Sequence, residues 1–256
     1  MDSSFLSSPN INDLFWVLLI IASRFYGIMF VCPIFNETRL PRFLKIVLSL
    51  LLAIIVFPYF KKINISDNIF NHVFLLAKEF FYGVFISYII SLPIWLIESI
   101  GNIIDIQRGD QFGATINQLT HTQDAAMSSL LMNTFTTYFV LSNGLLFILG
   151  VAFKSFLIIP VDSLFPLYNL NVNIYIELFT SYMYWVLLLV LPVIAVLFFI
   201  DFIFGLIGAF IPKLNITIIA MPIKSIIAIS ILIFYLPIMY HQVFAKFMLN
   251  IRTLFN

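Results

Sequence analysis

The chain has 256 residues, 62% of them apolar and only 10% charged, with 30 phenylalanines and a mean hydropathy of +1.08. Soluble domains run at about 45–50% apolar and about 25% charged, so this composition indicates a membrane protein. A net charge of +1, with the basic residues scattered singly, leaves no electrostatic footprint for nucleic acid and no basic patch for anionic lipid.

A helix needs about 20 apolar residues to cross hydrocarbon, and six runs of roughly that kind follow one another: Leu14 to Phe35, Phe43 to Phe60, Val73 to Ile100, Met127 to Ile159, Ile174 to Phe210 and Ile216 to Tyr240. The pattern predicts an all-α membrane-type fold. The start of the chain carries two acidic residues and no basic one before Arg24, unlike a cleavable signal peptide, so Met1 is read as the mature start. Cys32 lies in the first run, has no partner for a disulfide, and is expected to pack as a small hydrophobe. The second run is short. The fourth and fifth are long enough for hairpins, or for one bent helix plus an amphipathic piece. Lys and Arg in the breaks total about five on one side of a six-span model and about four on the other, so charge bias assigns no orientation. Pro93, Pro192 and Pro237 fall inside runs, where a kink or break is expected.

The ionisable residues inside or at the edges of these runs are functional-site candidates, because charge near hydrocarbon costs several kcal/mol unless paired, hydrated or turned towards protein. Glu98 and Asp105 stand seven residues apart, on one face of a helix and about 10 Å apart along its axis, with Arg108 one turn beyond Asp105. The minimal reading is an Asp105–Arg108 ion pair that caps or anchors the helix end near Gly109. Lys78 and Glu79 are adjacent and point in different directions, so each is expected to find its partner elsewhere. Arg24 lies too deep to snorkel, which predicts a buried partner or a subunit contact. Asp201 and Lys224 lie at similar distances from the turn at Pro212 to Asn215 and are candidates to pair across a hairpin. Gly205, Gly208 and Ala209 share a face suited to close helix packing. Residues 110–126 form the longest polar stretch and are read as a functional loop.

Enzymatic chemistry has little to stand on. His72, His121 and His241 are isolated, each read as a loop or interfacial residue, and no zinc-protease, nucleophile-elbow, phosphate-loop or paired-aspartate motif is present. No catalytic, cofactor or metal residues are assigned.

Several ordered motifs carry a resemblance. Ser91 to Glu98, Gly101 to Gly109 and Leu141 to Phe147, followed by Leu191 to Ile194, Asp201 to Gly208, Pro212 to Asn215 and Met221 to Ser225, resemble the SpaR/YscT/HrcT/FliR family of type III export-apparatus proteins over about residues 14 to 240. The form Ile104-Asp-Ile-Gln-Arg-Gly109 looks more like the injectisome branch than the flagellar one. Two departures stand out: residues 117–124 replace the Asp-Pro pair of many members, and Asp201 occupies what is often a glutamate.

The resemblance implies a non-enzymatic subunit of an export gate in the bacterial inner membrane, with no cofactor. It implies assembly with SpaP/YscR-like and SpaQ/YscS-like proteins around a narrow pore for unfolded substrates, beside a YscU-like switch protein and a YscV-like export protein. It also implies a single domain of kinked helical hairpins fusing those two partners' folds, with residues 1–170 like the first and 171–256 like the second. Glu98, Asp105, Gln107, Arg108, Gly109 and Arg24 are then candidates for docking and gating, with Asp201 and Lys224 supporting the C-terminal hairpin. The competing readings are a stand-alone secondary transporter that uses Glu98 and Asp105 as a proton relay, and a flagellar rather than virulence export-gate subunit.

Overall fold

In a computed structural model of the chain, residues 11–37, 39–60, 69–109, 126–161, 172–211 and 216–255 are described. Every regular element among them is helical: α1 (Ile11–Val31), α2 (Arg42–Val56), α3 (Ile69–Arg108), α4 (Ala126–Leu141), α5 (Gly144–Ile158), α6 (Val172–Phe210) and α7 (Ile216–Phe255), with 3-10 turns at Pro33–Phe35 and Phe57–Phe60. This is an all-α membrane-type protein. Residues 110–125, most of the polar loop with His121, and the turn at 212–215 lie outside the described residues.

The six apolar runs become four helices long and apolar enough to cross a membrane, within α1, α3, α6 and α7, with α4 and α5 a fifth if that interrupted pair counts as one. The second run falls short because α2 has only 15 residues. The fourth breaks at Ser142 and Asn143, where Asn143 takes a positive φ of 61°, a conformation that Asn tolerates better than most residues. The fifth is corrected to one helix of 39 residues that continues through Pro192. Pro93 in α3 and Pro237 in α7 likewise sit inside unbroken helices. Each of α3, α6 and α7 is about 60 Å long, twice the roughly 30 Å of hydrocarbon in a bilayer.

Contacts divide the chain into two compact units, one of residues 1–91 and 145–171, the other of 92–144 and 172–256. In the first, α1 packs on α2, and α1 meets α3 where Gly27 and Gly83 face each other. A Cβ on Gly83 would come 3.0 Å from the Gly27 Cα and collide with the Arg24 carbonyl, so only glycine admits this approach. Phe25 is enclosed by Phe153 and Phe156 of α5, with ring centroids at 5.8 and 5.4 Å.

In the second unit α7 packs on α6 and on α4. The α4–α7 contact is aromatic: Phe135 meets Tyr240 edge-on at 5.2 Å, and Phe139 meets Phe244 and Phe247 at 5.6 and 5.4 Å. Beyond Tyr240, the expected end of the last run, α7 continues because buried Val243, Phe247 and Ile251 recur every four residues, a helical stripe.

Candidate functional site

The structure gathers the predicted ionisable residues into two clusters, one in each unit. In the first, Arg24 is fully buried. Its Nε donates to Glu79 Oε2 at 2.5 Å, Nη1 to Ser155 Oγ at 3.4 Å and Nη2 to the Ile159 carbonyl at 3.0 Å. The guanidinium also lies over the Phe156 ring, 4.1 Å from its centroid. The partner expected for Arg24 is thus Glu79, on α3.

The expectation that Lys78 and Glu79 do not pair is corrected. Lys78 Nζ lies 3.3 Å from Glu79 Oε1 while donating to the Val161 carbonyl at 2.7 Å. Two cations therefore converge on carbonyls at the C-terminal end of α5, where the helix dipole favours positive charge, with one carboxylate between them. His72 is corrected as well, being a buried residue of α3 stacked on Trp16 at 4.7 Å; His241 is helical too, exposed on α7.

The second cluster forms at the C-terminal end of α3. Arg108 pairs with Asp105 one turn earlier, the ion pair predicted from spacing. Asp105 Oδ2 also accepts from the backbone N–H groups of Met127 at 3.1 Å and Ser128 at 3.0 Å. A carboxylate is poorly placed at the C-terminus of its own helix but well placed at the N-terminus of another; Asp105 caps α4 rather than α3. Gly101 supports this contact, since a Cβ there would lie 2.9 Å from the Ser128 nitrogen. α3 itself stops at Gly109, whose φ of 85° suits glycine at a helix C-terminus.

Gln107 reaches across to α6, its Nε2 donating to Asp201 Oδ2 at 3.1 Å. Lys224 of α7 pairs with Asp201 and donates to the Gln107 carbonyl at 3.3 Å. The predicted Asp201–Lys224 pair is therefore joined to the end of α3 as well. Around it lies a cleft of about 420 Å³ lined by Ile106, Gln107, Asp201, Gly205, Met221 and Lys224 among others. Here a second expectation changes: a Cβ on Gly205 would meet nothing within 4 Å, so this glycine opens the cleft instead of packing against a helix within the chain. Glu98 sits two turns before Asp105, half-buried, and does not line the cleft.

Among the described residues no group of His, Cys, Asp and Glu is arranged to hold a metal ion. Both oxygens of Asp105 and of Asp201 are engaged by donors, so the site ties the C-terminal end of α3 to the start of α4 and to α6 and α7. Sequence reasoning missed Glu79 as a partner and the capping of α4, both contacts between residues remote in the chain.

A sequence model of the family described as bacterial export proteins, family 1, matches residues 15–249. The chain is 31% identical over 217 residues to the Yop proteins translocation protein T of Yersinia pestis, covering 83% of this chain and 82% of that protein. It is 30% identical over 172 residues to the surface presentation of antigens protein SpaR of Shigella flexneri, covering 67% and 66%. It is 26% identical over 250 residues to the flagellar biosynthetic protein FliR of Bacillus subtilis, covering 96% of each.

Proposed function

Because the chain belongs to the SpaR/YscT/FliR family of type III export-apparatus proteins, a family of structural components and not of enzymes, we propose that it is a pore-forming subunit of an export gate in the bacterial inner membrane. Its partners in this reading are SpaP/YscR-like and SpaQ/YscS-like subunits, to which residues 1–170 and 171–256 are respectively similar in fold, beside YscU-like and YscV-like proteins. Unfolded effector proteins are the substrates.

One observation carries this reading beyond family membership. The most apolar stretches of α6 and α7 are only 28% and 17% buried within the chain. On α6 the exposed apolar side chains run from Ile176 to Phe210, about 51 Å of helix, which exceeds about 30 Å of hydrocarbon even with substantial tilt. The excess has to be covered by protein.

Arg24 and Glu79 hold one unit's interior; Asp105, Gln107, Arg108, Gly109, Asp201 and Lys224 fix the helix ends that neighbouring subunits meet, with Glu98 on the same face. The transporter reading draws no support from this geometry, in which Asp105 is 2% exposed and engaged by two backbone amides and Arg108.

The test is an Arg108→Ala chain expressed from the native locus, with effector proteins in the culture medium measured at matched membrane abundance. Secretion is expected to fall to background, and normal export by that variant would count against the proposal.

A further inference from the structure

The outer face of α5 carries two residues that nothing inside the chain explains. Leu146, Gly150, Lys154, Leu157 and Ile158 share one side of the helix and are all exposed. The three large side chains are 65%, 82% and 55% exposed in that order, so the surface is apolar apart from one cation. The opposite side of α5 is committed within the chain. Ser155 accepts from Arg24, the Phe156 ring lies against the Arg24 guanidinium, and Ile148, Val151 and Ala152 are buried.

Gly150 is the first of the two. A glycine inside a helix costs conformational entropy that alanine would not. At Gly27, Gly83 and Gly101 that cost is returned by close contacts within the chain, but at Gly150 a Cβ would meet nothing within 4 Å. The missing side chain serves no packing of this chain, and in membranes a glycine on an open helix face admits the backbone of another helix.

Lys154, one turn further along, is the second. It has no carboxylate within ion-pair distance among the described residues. Its depth follows from its neighbour, because Ser155 is bonded to Arg24, and Arg24 lies about 15 and about 10 Å from the two ends of the apolar stretch Leu14–Val31. Lys154 therefore stands at the level of the interior of that stretch, beyond easy snorkelling. An ammonium turned to lipid there is costly, and a carboxylate on an adjoining helix removes the cost.

On the basis that the chain is a subunit of an assembly, we propose that the Gly150–Lys154 face of α5 seats a helix of a neighbouring subunit, apolar apart from one carboxylate placed opposite Lys154. The backbone of that helix comes closest at Gly150, and Leu146, Leu157 and Ile158 pack against its side chains. One occupant thus accounts for both costly residues.

Photo-crosslinking in the assembled system tests this. In the full-length chain Leu146 or Leu157 is replaced by p-benzoylphenylalanine, with Leu191 on the exposed side of α6 as a reference position, in cells that express the native membrane neighbours. Adducts from both α5 positions to one neighbouring subunit are expected, mapping by mass spectrometry to a helix that contains Asp or Glu. Lys154→Glu, compared at matched membrane abundance, is expected to lower the adduct and the co-purified neighbour by about tenfold or more, because like charges then meet in an apolar contact. Changing the mapped carboxylate to Lys in the neighbour is expected to restore both. Adducts from Leu191 alone would overturn the assignment of this face and leave the assembly reading standing, whereas a chain without protein adducts at any position would overturn both. Adducts between two copies of this chain, or full adduct yield from Lys154→Glu, would overturn the proposed occupant. The two α5 positions guard against misfolding of one variant.

Discussion

Glu79→Gln is expected to destabilise the chain by about 3–5 kcal/mol, the range for removing one partner of a buried ion pair, and by more than Arg24→Met. The order follows from a count of charges. The buried node holds two cations, Arg24 and Lys78, and one anion, Glu79. Losing the carboxylate leaves two positive charges facing each other beside neutral acceptors, Ser155 Oγ and the carbonyls of Ile159 and Val161. Losing the guanidinium leaves Glu79 with Lys78, still a neutral pair. Arg24→Met combined with Glu79→Gln is expected to lose less than the sum of the two, by 1 kcal/mol or more, because the residues are in direct contact. Denaturation midpoints of the purified chains in mixed micelles, alongside abundance in the membrane, check all three. Equal losses from the two single variants, with strict additivity in the double, would show that the node does not act as a charge-coupled unit.

Asp105→Ala has the second large effect, and a local one. It removes the acceptor for the Met127 and Ser128 amides and one ion-pair partner of the buried Arg108. The capping loss is about 1 kcal/mol, and the broken ion pair adds to it. Asp105→Asn, which keeps one acceptor oxygen but not the charge, is expected to fall between wild type and alanine. Hydrogen–deuterium exchange gives the readout: amides in the first turn of α4 are expected to exchange at least about tenfold faster, the equivalent of about 1.4 kcal/mol, while those of α1 are unchanged. Unaltered protection at Met127 and Ser128 would remove Asp105 as the link between α3 and α4.

These two sites also show how far the sequence could be read. Contacts between residues close in the chain, or symmetric about a turn, were legible: Asp105 with Arg108 by helical spacing, Asp201 with Lys224 by equal distance from residues 212–215. Contacts set by tertiary packing were not. Nothing local links Arg24 to Glu79, 55 residues away, or Asp105 to the start of α4. The glycines divide in the same way. Gly205 and Gly208 have the spacing of a packing motif, yet Gly205 lines an open cleft, whereas Gly27 and Gly83, solitary in their runs, make the close helix contact. Helix ends were misjudged wherever hydropathy alone set the boundary, since α3 carries its charges to Arg108 by pairing them and α7 continues past Tyr240 on a narrow apolar stripe. The break at Ser142 and Asn143 was visible as a polar Ser-Asn-Gly turn inside an apolar run.

If this chain works as one member of a hetero-oligomeric export gate, co-purification will reveal it. The tagged full-length chain is co-expressed with its SpaP/YscR-like and SpaQ/YscS-like neighbours, extracted in mild detergent and weighed intact by native mass spectrometry. A discrete complex that contains all three proteins is expected, with the exposed apolar faces of α6 and α7 protected from labelling. A chain that stays folded and alone in the presence of both neighbours would contradict it.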